Sequence, residues 1–386
     1  MKKIIGIFSV FALFFAFVFF NSCSSHSTPV CPTWPATSTP VVKGTPTITP
    51  GITKILTITS TITPVSTKSW VSVGTEGLTT GGASWTSIKG IGKDLYVAYI
   101  DANDGFAKCM KYSDSASAWT SLGTISSGMA DRTAIYIDNG NVYVAYVDTY
   151  NGSKITVKEY NGTWQTLGTE GVTPGSAVVW QQSLRVYNGD VYISYCDNSA
   201  AGSGREAVMK YSAGTWSDVG SYVSAGQMWY ANAVVDTASN TVYSIYQKSN
   251  YGIETKSMPQ AGAWNYLSAS GLPTGTTEYI WMEYYDNTPY VSLLDWNNSH
   301  KEEVFQYNGS GWSMVGSAVS DGTSEGGSLA IENGNLYLVY TDDNISGLAT
   351  VKSNTGGGWA NVGNIGFSAG KVLYTTIYVN NGEPYV

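Results

Sequence analysis

Charge is scarce in this chain. Only 12% of its 386 residues are Asp, Glu, Lys or Arg, the net charge is −8, and lysines and arginines gather nowhere. A diffuse negative charge of this kind excludes nucleic acid as a partner and polybasic docking on an anionic lipid surface. Histidine is almost absent, with His26 and His300 alone. A histidine-based metal site or a Ser-His-Asp arrangement then lacks parts, so no metal or cofactor is expected. The four cysteines are Cys23, Cys31, Cys109 and Cys196. The last two fall in separate strand patterns, too far apart for an easy disulfide, and are expected to be buried free thiols. A helix-forming composition is missing as well. Instead there are 28 Tyr, 13 Trp and 43 Gly, aromatics for burial and glycines for turns, which leaves all-β as the fold class.

What is present is a repeat. Residues 131–168 hold three runs of alternating apolar and polar residues, Thr133–Ile137, Val142–Val147 and Ile155–Tyr160, and then a short run with Trp, Thr163–Leu167. Alternation rich in Tyr, Val and Ile marks half-buried strands. The breaks fall at Asn139-Gly140 and Asn151-Gly152, dipeptides that adopt the positive φ of tight hairpin turns. The result is a four-stranded antiparallel meander of about 45 residues, too small to bury its own faces, so its copies must stack.

Two registers count the copies. Trp-x-x-hydrophobic runs occur at Trp70, Trp119, Trp164, Trp216, Trp264, Trp312 and Trp359, and the second strand at Tyr96, Tyr143, Tyr192, Tyr243, Tyr290, Tyr337 and Tyr385. A period of about 45 to 50 residues with four strands per unit predicts a seven-bladed β-propeller of four-stranded antiparallel blades over residues 52–386. The unit W-x-x-V-G, G-x-x-Y-V-A-Y-x-D, V-x-x-Y-N-G-x-W resembles the Trp/Tyr-repeat propellers of bacterial secreted and surface proteins. It is similar to kelch repeats in period and in Tyr and Trp spacing, without their regular double glycine. The ring is expected to close through its ends. Residues 70–74 would supply the outermost strand of a blade whose inner strands are Val372–Val379 and Glu383–Val386, with Ile55–Ile62 as the third strand; splicing the ends together removes exposed sheet edges.

Residues 1–22 read as a signal peptide: Lys2 and Lys3, then an apolar run from Ile4 to Phe20, long for an ordinary signal and short for a membrane span. Phe20-Asn21-Ser22-Cys23 resembles a bacterial lipobox, which implies a lipid on Cys23 and an extracytoplasmic lipoprotein. By the same resemblance, Ser24 in place of a retaining Asp implies the outer membrane or cell surface. Residues 23–51, rich in Ser, Thr and Pro, form a disordered spacer.

The site must lie where the units differ. The recurrent Asp101, Asp148, Asp197, Asp295 and Asp342 suit Asx turns. Asp101-x-Asn103-Asp104-Gly105 only faintly resembles a calcium loop, because its other ligands are missing. The repeated Trp is scaffold. The variable loops around the channel carry Trp85, Arg132, Tyr150, Trp180, Trp229, Tyr230, Tyr251, Tyr279, Trp281 and Trp296, an aromatic rim suited to stacking on a sugar or gripping a protein loop. The expected role is a binding module for a protein or surface polymer, with a glycan-binding lectin as the alternative. No catalytic set is identifiable. Arg132, Arg185 and Arg205 do not align as the arginine triad of a sialidase, and Glu278, Glu283 and Glu325 near inner strands leave a glycan hydrolase as the third reading.

Overall fold

The computed structural model describes residues 69–75, 77–177, 183–260 and 262–386. The signal peptide, Cys23, Cys31, the spacer and the 55–62 run lie outside the described residues. Apart from two three-residue 3₁₀ turns, Trp296–Asn298 and Asp343–Ile345, the described elements are all strands. They form six antiparallel sheets: four of four strands each, one of seven and one of two.

The seven-stranded sheet departs from the expected pattern of separate meanders, and its cause is local. The strand Ala118–Asp138 runs for 21 residues. Its first part, Ala118–Thr124, pairs with Phe106–Ser113, and its second part, Ala130–Asp138, pairs with Asn141–Asp148. One continuous strand therefore closes one four-strand set and opens the next.

Sequence explains the hairpins. Between first and second strands stand Asn139-Gly140, Asn188-Gly189, Asn333-Gly334 and Asn381-Gly382, each with both residues at positive φ, the backbone that a two-residue turn between twisted strands requires. A second device, invisible to the strand reading, fastens the loop after five of the outer strands back to the third strand of the same sheet. The hydroxyls of Ser126, Thr173, Ser224, Ser320 and Ser368 donate to the carbonyl of a glycine two residues on. Each also accepts the N–H of a third-strand residue, Ala107, Ile155, Glu206, Glu302 and Ala349 respectively. Both the connecting loop and the strand end thus have their backbone groups satisfied.

The first strands of successive sets touch one another in order, from Ala83–Ile91 through Ala118–Asp138, Ser183–Tyr187, Met228–Asp236, Thr277–Tyr285 and Ser324–Glu332 to Tyr378–Asn380, which in turn touches Ala83–Ile91. The core lies between these sets, as clusters such as Tyr143, Ile155, Leu184 and Tyr195. The repeated Trp links neighbours. Trp119, Trp164, Trp216, Trp264 and Trp359 each donate Nε1 to the carbonyl three residues after the preceding repeat Trp, at Val73, Leu122, Leu167, Val219 and Val315. Trp70 completes the cycle by donating to Val362 at 3.0 Å and stacking on Phe367. Trp312 is buried, and its Nε1 has no partner among the described residues.

The ends differ from expectation in two respects. Residues 70–74 form no strand, and the inner strand expected over Val372–Val379 shortens to Tyr378–Asn380, paired with Glu383–Tyr385. The cause is visible at Tyr374, in the left-handed region at φ 57, and at Thr376, whose Oγ1 accepts the Ile88 N–H across the junction. This stretch bonds sideways to the first inner strand rather than along a ladder. Cys109 and Cys196 are free and buried, and burial pushes both thiols up to about 12.

Candidate functional site

One end of the molecule gathers the starts of the inner strands and the loops after the second strands. A recurring bond fastens each loop to the start of its own sheet: Ala102, Thr149, Asn198, Ser249, Trp296 and Asp343 donate their N–H to carbonyls of Gly82, Met129, Ser176, Gln227, Thr276 and Thr323. The recurrent Asp stabilises the same loops. Asp101, Asp197, Asp295 and Asp342 accept the N–H two residues on, and Asp148 that of Asn151. The faint calcium loop is filled by a cation of the chain itself, since Lys108 Nζ lies 2.8 Å from Asp101 and 2.7 Å from Asp104. Those bonds hold both carboxyls below their usual range.

Five of the seven described inner strands break register at their start, between Ser84 and Ser87, Asp131 and Thr133, Met228 and Ala231, Glu278 and Trp281, and Glu325 and Gly327. A bulge inserts a residue that re-aims its side chain. Within four of these breaks, and at the matching point of the terminal stretch, sits a left-handed residue: Trp85 (φ 50), Arg132 (φ 47), Tyr279 (φ 50), Gly326 (φ 59) and Tyr374 (φ 57). A non-glycine residue held there costs about 1 kcal/mol or more and persists where its surroundings fix it.

All five line one cavity of about 130 Å³, with Tyr230, Trp281 and Glu325. Trp85 stacks on Tyr374 with ring centroids 3.9 Å apart, and the Arg132 guanidinium lies 4.7 Å from the Trp85 ring centre. Arg132 is steadied by its neighbour Asp131. Tyr230 and Tyr279 tilt against each other at 5.7 Å. Lys371 pairs with Glu325 at 3.1 Å. The mouth therefore brings together aromatic rings, a guanidinium and a carboxylate.

A second, smaller cavity of about 20 Å³ lies against the first, sharing Ser87, Ala134, Trp281 and Thr376 as walls, with Lys89, Ser183 and Arg185 beyond. Arg185 is held by the carbonyls of Leu184 and Met282 at 3.0 and 2.6 Å and stands 3.5 Å from Glu283, which also accepts from Trp281 Nε1. Burial pulls the Lys89 ammonium below its usual value; Glu283 opposes this and Arg185 adds to it.

Of the ten residues expected at the rim, Trp85, Arg132, Tyr230, Tyr279 and Trp281 line the mouth. Tyr150, Trp229, Tyr251 and Trp296 do not; they stand exposed, Trp229 at the start of the strand Met228–Asp236 and the other three after second strands, Trp296 against His300 at 4.4 Å. Trp180 lies outside the described residues. The three arginines do not converge: Arg205 is bound by the loop carbonyls of Ala201 and Gly202. Glu325 is in the mouth, Glu283 below it, and half-buried Glu278 is raised by desolvation while Trp296 bonds to it. Sequence reasoning missed Tyr374, Lys371 and Lys89. The spacing from Gly326 back through Tyr279 could have found Tyr374, had the terminal stretch not read as plain strand.

No protein-family profile matches the chain, and no curated protein matches it. Solved structures do. The SapL1 lectin in complex with alpha methyl fucoside is 15% identical with a TM-score of 0.51, over 73% of this chain and 97% of that one. YjhT is 12% identical with a TM-score of 0.49, over 75% and 100%. An alpha-L-arabinofuranosidase from Clostridium thermocellum is 16% identical with a TM-score of 0.38, over 62% and 95%. Likeness at such identities concerns the fold, which is all-β and β-propeller-like.

Proposed function

We propose that the chain is a seven-bladed propeller that binds a saccharide chain of a surface polymer at its mouth, without turning it over. Seven blades follow if the two sets sharing Ala118–Asp138 count separately and the terminal pair with the Trp70 segment counts as the seventh. The observation that carries the binding reading is the convergence of five left-handed residues, four of them in bulges, on one cavity. A sugar presents apolar faces that stack on aromatic rings and hydroxyls that bond to charged groups, and the mouth supplies both. The exposed Tyr150, Trp229, Tyr251 and Trp296 extend the contact surface beyond one ring, as a chain-like ligand would need. Binding rather than hydrolysis is supported by the engagement of Glu325 with Lys371 and of Glu283 with Arg185 and Trp281.

The test is a glycan array with the full chain. Stacking on one ring contributes about 1 kcal/mol, so Tyr374→Ala is expected to weaken the best ligand about fivefold, and Trp85→Ala with Tyr374→Ala at least tenfold, while Tyr266→Ala, remote from the mouth lining, leaves it unchanged. Silence of the wild type across a broad array would sink the saccharide reading and turn attention to a protein segment, an occupant that the exposed Met129 and Tyr150 would also suit.

The location proposed is the outer membrane or cell surface, through a lipid on Cys23. Its support is the sequence alone. Cells fed a radiolabelled fatty acid are expected to label the wild type and not Cys23→Ser; equal labelling would refute the anchor.

A further inference from the structure

The smaller cavity is walled in part by groups that can donate, Lys89, Arg185, Ser87 and Ser183. Ser87 Oγ and Ser183 Oγ accept the N–H of Ile135 and Ala233, which leaves their own protons without an acceptor among the described residues. Lys89 Nζ makes no hydrogen bond or ion pair among the described residues, although it lines the cavity. Arg185 lines it too, and the one carboxylate near both cations, Glu283, is already shared between Arg185 and Trp281. Beside Arg185 stands Asn232, fully buried, with Oδ1 at 3.4 Å from the guanidinium and Nδ2 unpartnered among the described residues. With Arg185 buried and Lys89 and Glu283 partly exposed, two cations against one carboxylate is an unfavourable arrangement unless a second negative charge joins it. The space of about 20 Å³ admits one water-sized species.

We propose that this cavity is a subsite for one small anion, held by Lys89, Arg185 and the hydroxyls of Ser87 and Ser183. Two sources share that chemistry: a halide from solution, or the acid group of a ligand seated in the mouth above. The inference concerns the channel and stands apart from the saccharide reading, since a halide alone tests it.

The experiment uses the full chain and sodium bromide. Bromide-soaked crystals are expected to give an anomalous peak between Lys89 and Arg185, and titration in solution a saturable rise in Tm of a few degrees. Lys89→Met, which keeps the stem length and removes the charge, is expected to lose both. Should Lys89→Met fail to fold, Lys89→Gln serves the same comparison. Adding a galacturonate oligosaccharide, with a neutral galactose oligosaccharide as the contrast, separates the sources. Displacement of bromide by the acidic sugar alone assigns the subsite to the ligand's carboxylate, and displacement by neither assigns it to a resident halide. No peak, together with the same bromide response in wild type and Lys89→Met, overturns the proposal. That result would leave array binding at the mouth untouched, and a silent array would leave the bromide result standing.

Discussion

Raising the pH from 5 to 8 is expected to lower the melting temperature by ten degrees or more, and the double variant Glu206→Gln, Glu302→Gln is expected to abolish most of that fall. Both carboxyls are fully buried, and desolvation is the leading cause that lifts each from 4.5 to about 8. Glu206 accepts from Ser194 and Ser244 at 2.8 and 2.6 Å, but its Oε2 has no partner; neither oxygen of Glu302 has one among the described residues. The folded chain therefore holds two protons that the unfolded chain has released over this interval. Stability is fully present below the unfolded value near 4.5 and is lost as pH rises through about 8. The loss is about 3 kcal/mol per group between pH 5 and 7. Carboxyls held low by partners, such as Asp101 and Asp104 with Lys108, act in the opposite sense, but below this window. Lys89 acts in the opposite sense on the alkaline side, which is why the comparison is made between wild type and the Gln variants at each pH. Equal slopes in the two proteins would show that the buried acids are not protonated in the fold.

The second large effect concerns the junction of the chain ends. Trp70→Ala removes the bond from Nε1 to Val362 and a ring stacked on Phe367 at 4.0 Å. Loss of a packed aromatic of this size costs about 3 kcal/mol, and a drop in Tm of more than five degrees by calorimetry is expected. Trp312 supplies an internal contrast. Its ring is buried with Nε1 unpartnered, so Trp312→Phe is expected to be nearly neutral, whereas Trp216→Phe forfeits the 2.7 Å bond to Leu167 and about 1 kcal/mol. An unchanged Tm for Trp70→Ala would mean that the ends do not hold the cycle together. The Lys93–Glu383 pair at the same junction is half exposed and contributes little.

The sheets are legible in the sequence because Tyr-rich alternation and the recurring Trp have one cause, burial on one strand face between neighbours. The Asp turns are legible for the same reason: a short side chain at a strand end has few roles. The mouth is only half legible. Trp85, Arg132 and Tyr279 stand out as polar or aromatic residues that differ between units, but what brings them together is a backbone bulge, and a bulge leaves no periodic trace in composition. Tyr150, Trp229, Tyr251 and Trp296 carry the same residue chemistry and sit outside the mouth lining, although Trp229 falls within a register break and Tyr251 is left-handed at φ 68. The buried acids are hidden for a different reason. Glu206 and Glu302 occupy the position that Ala107, Ile155 and Ala349 fill elsewhere, and nothing in an alternating pattern marks a carboxyl as lying on the inside.

The bulge residues separate two burdens that most binding surfaces combine. Their side chains leave the ladders, so exchanging Trp for Arg, Tyr or Gly at one of them alters what the mouth touches and disturbs no strand pairing. A lineage could therefore reshape the mouth one position at a time, with the wheel as a constant chassis and the left-handed kinks as interchangeable bits.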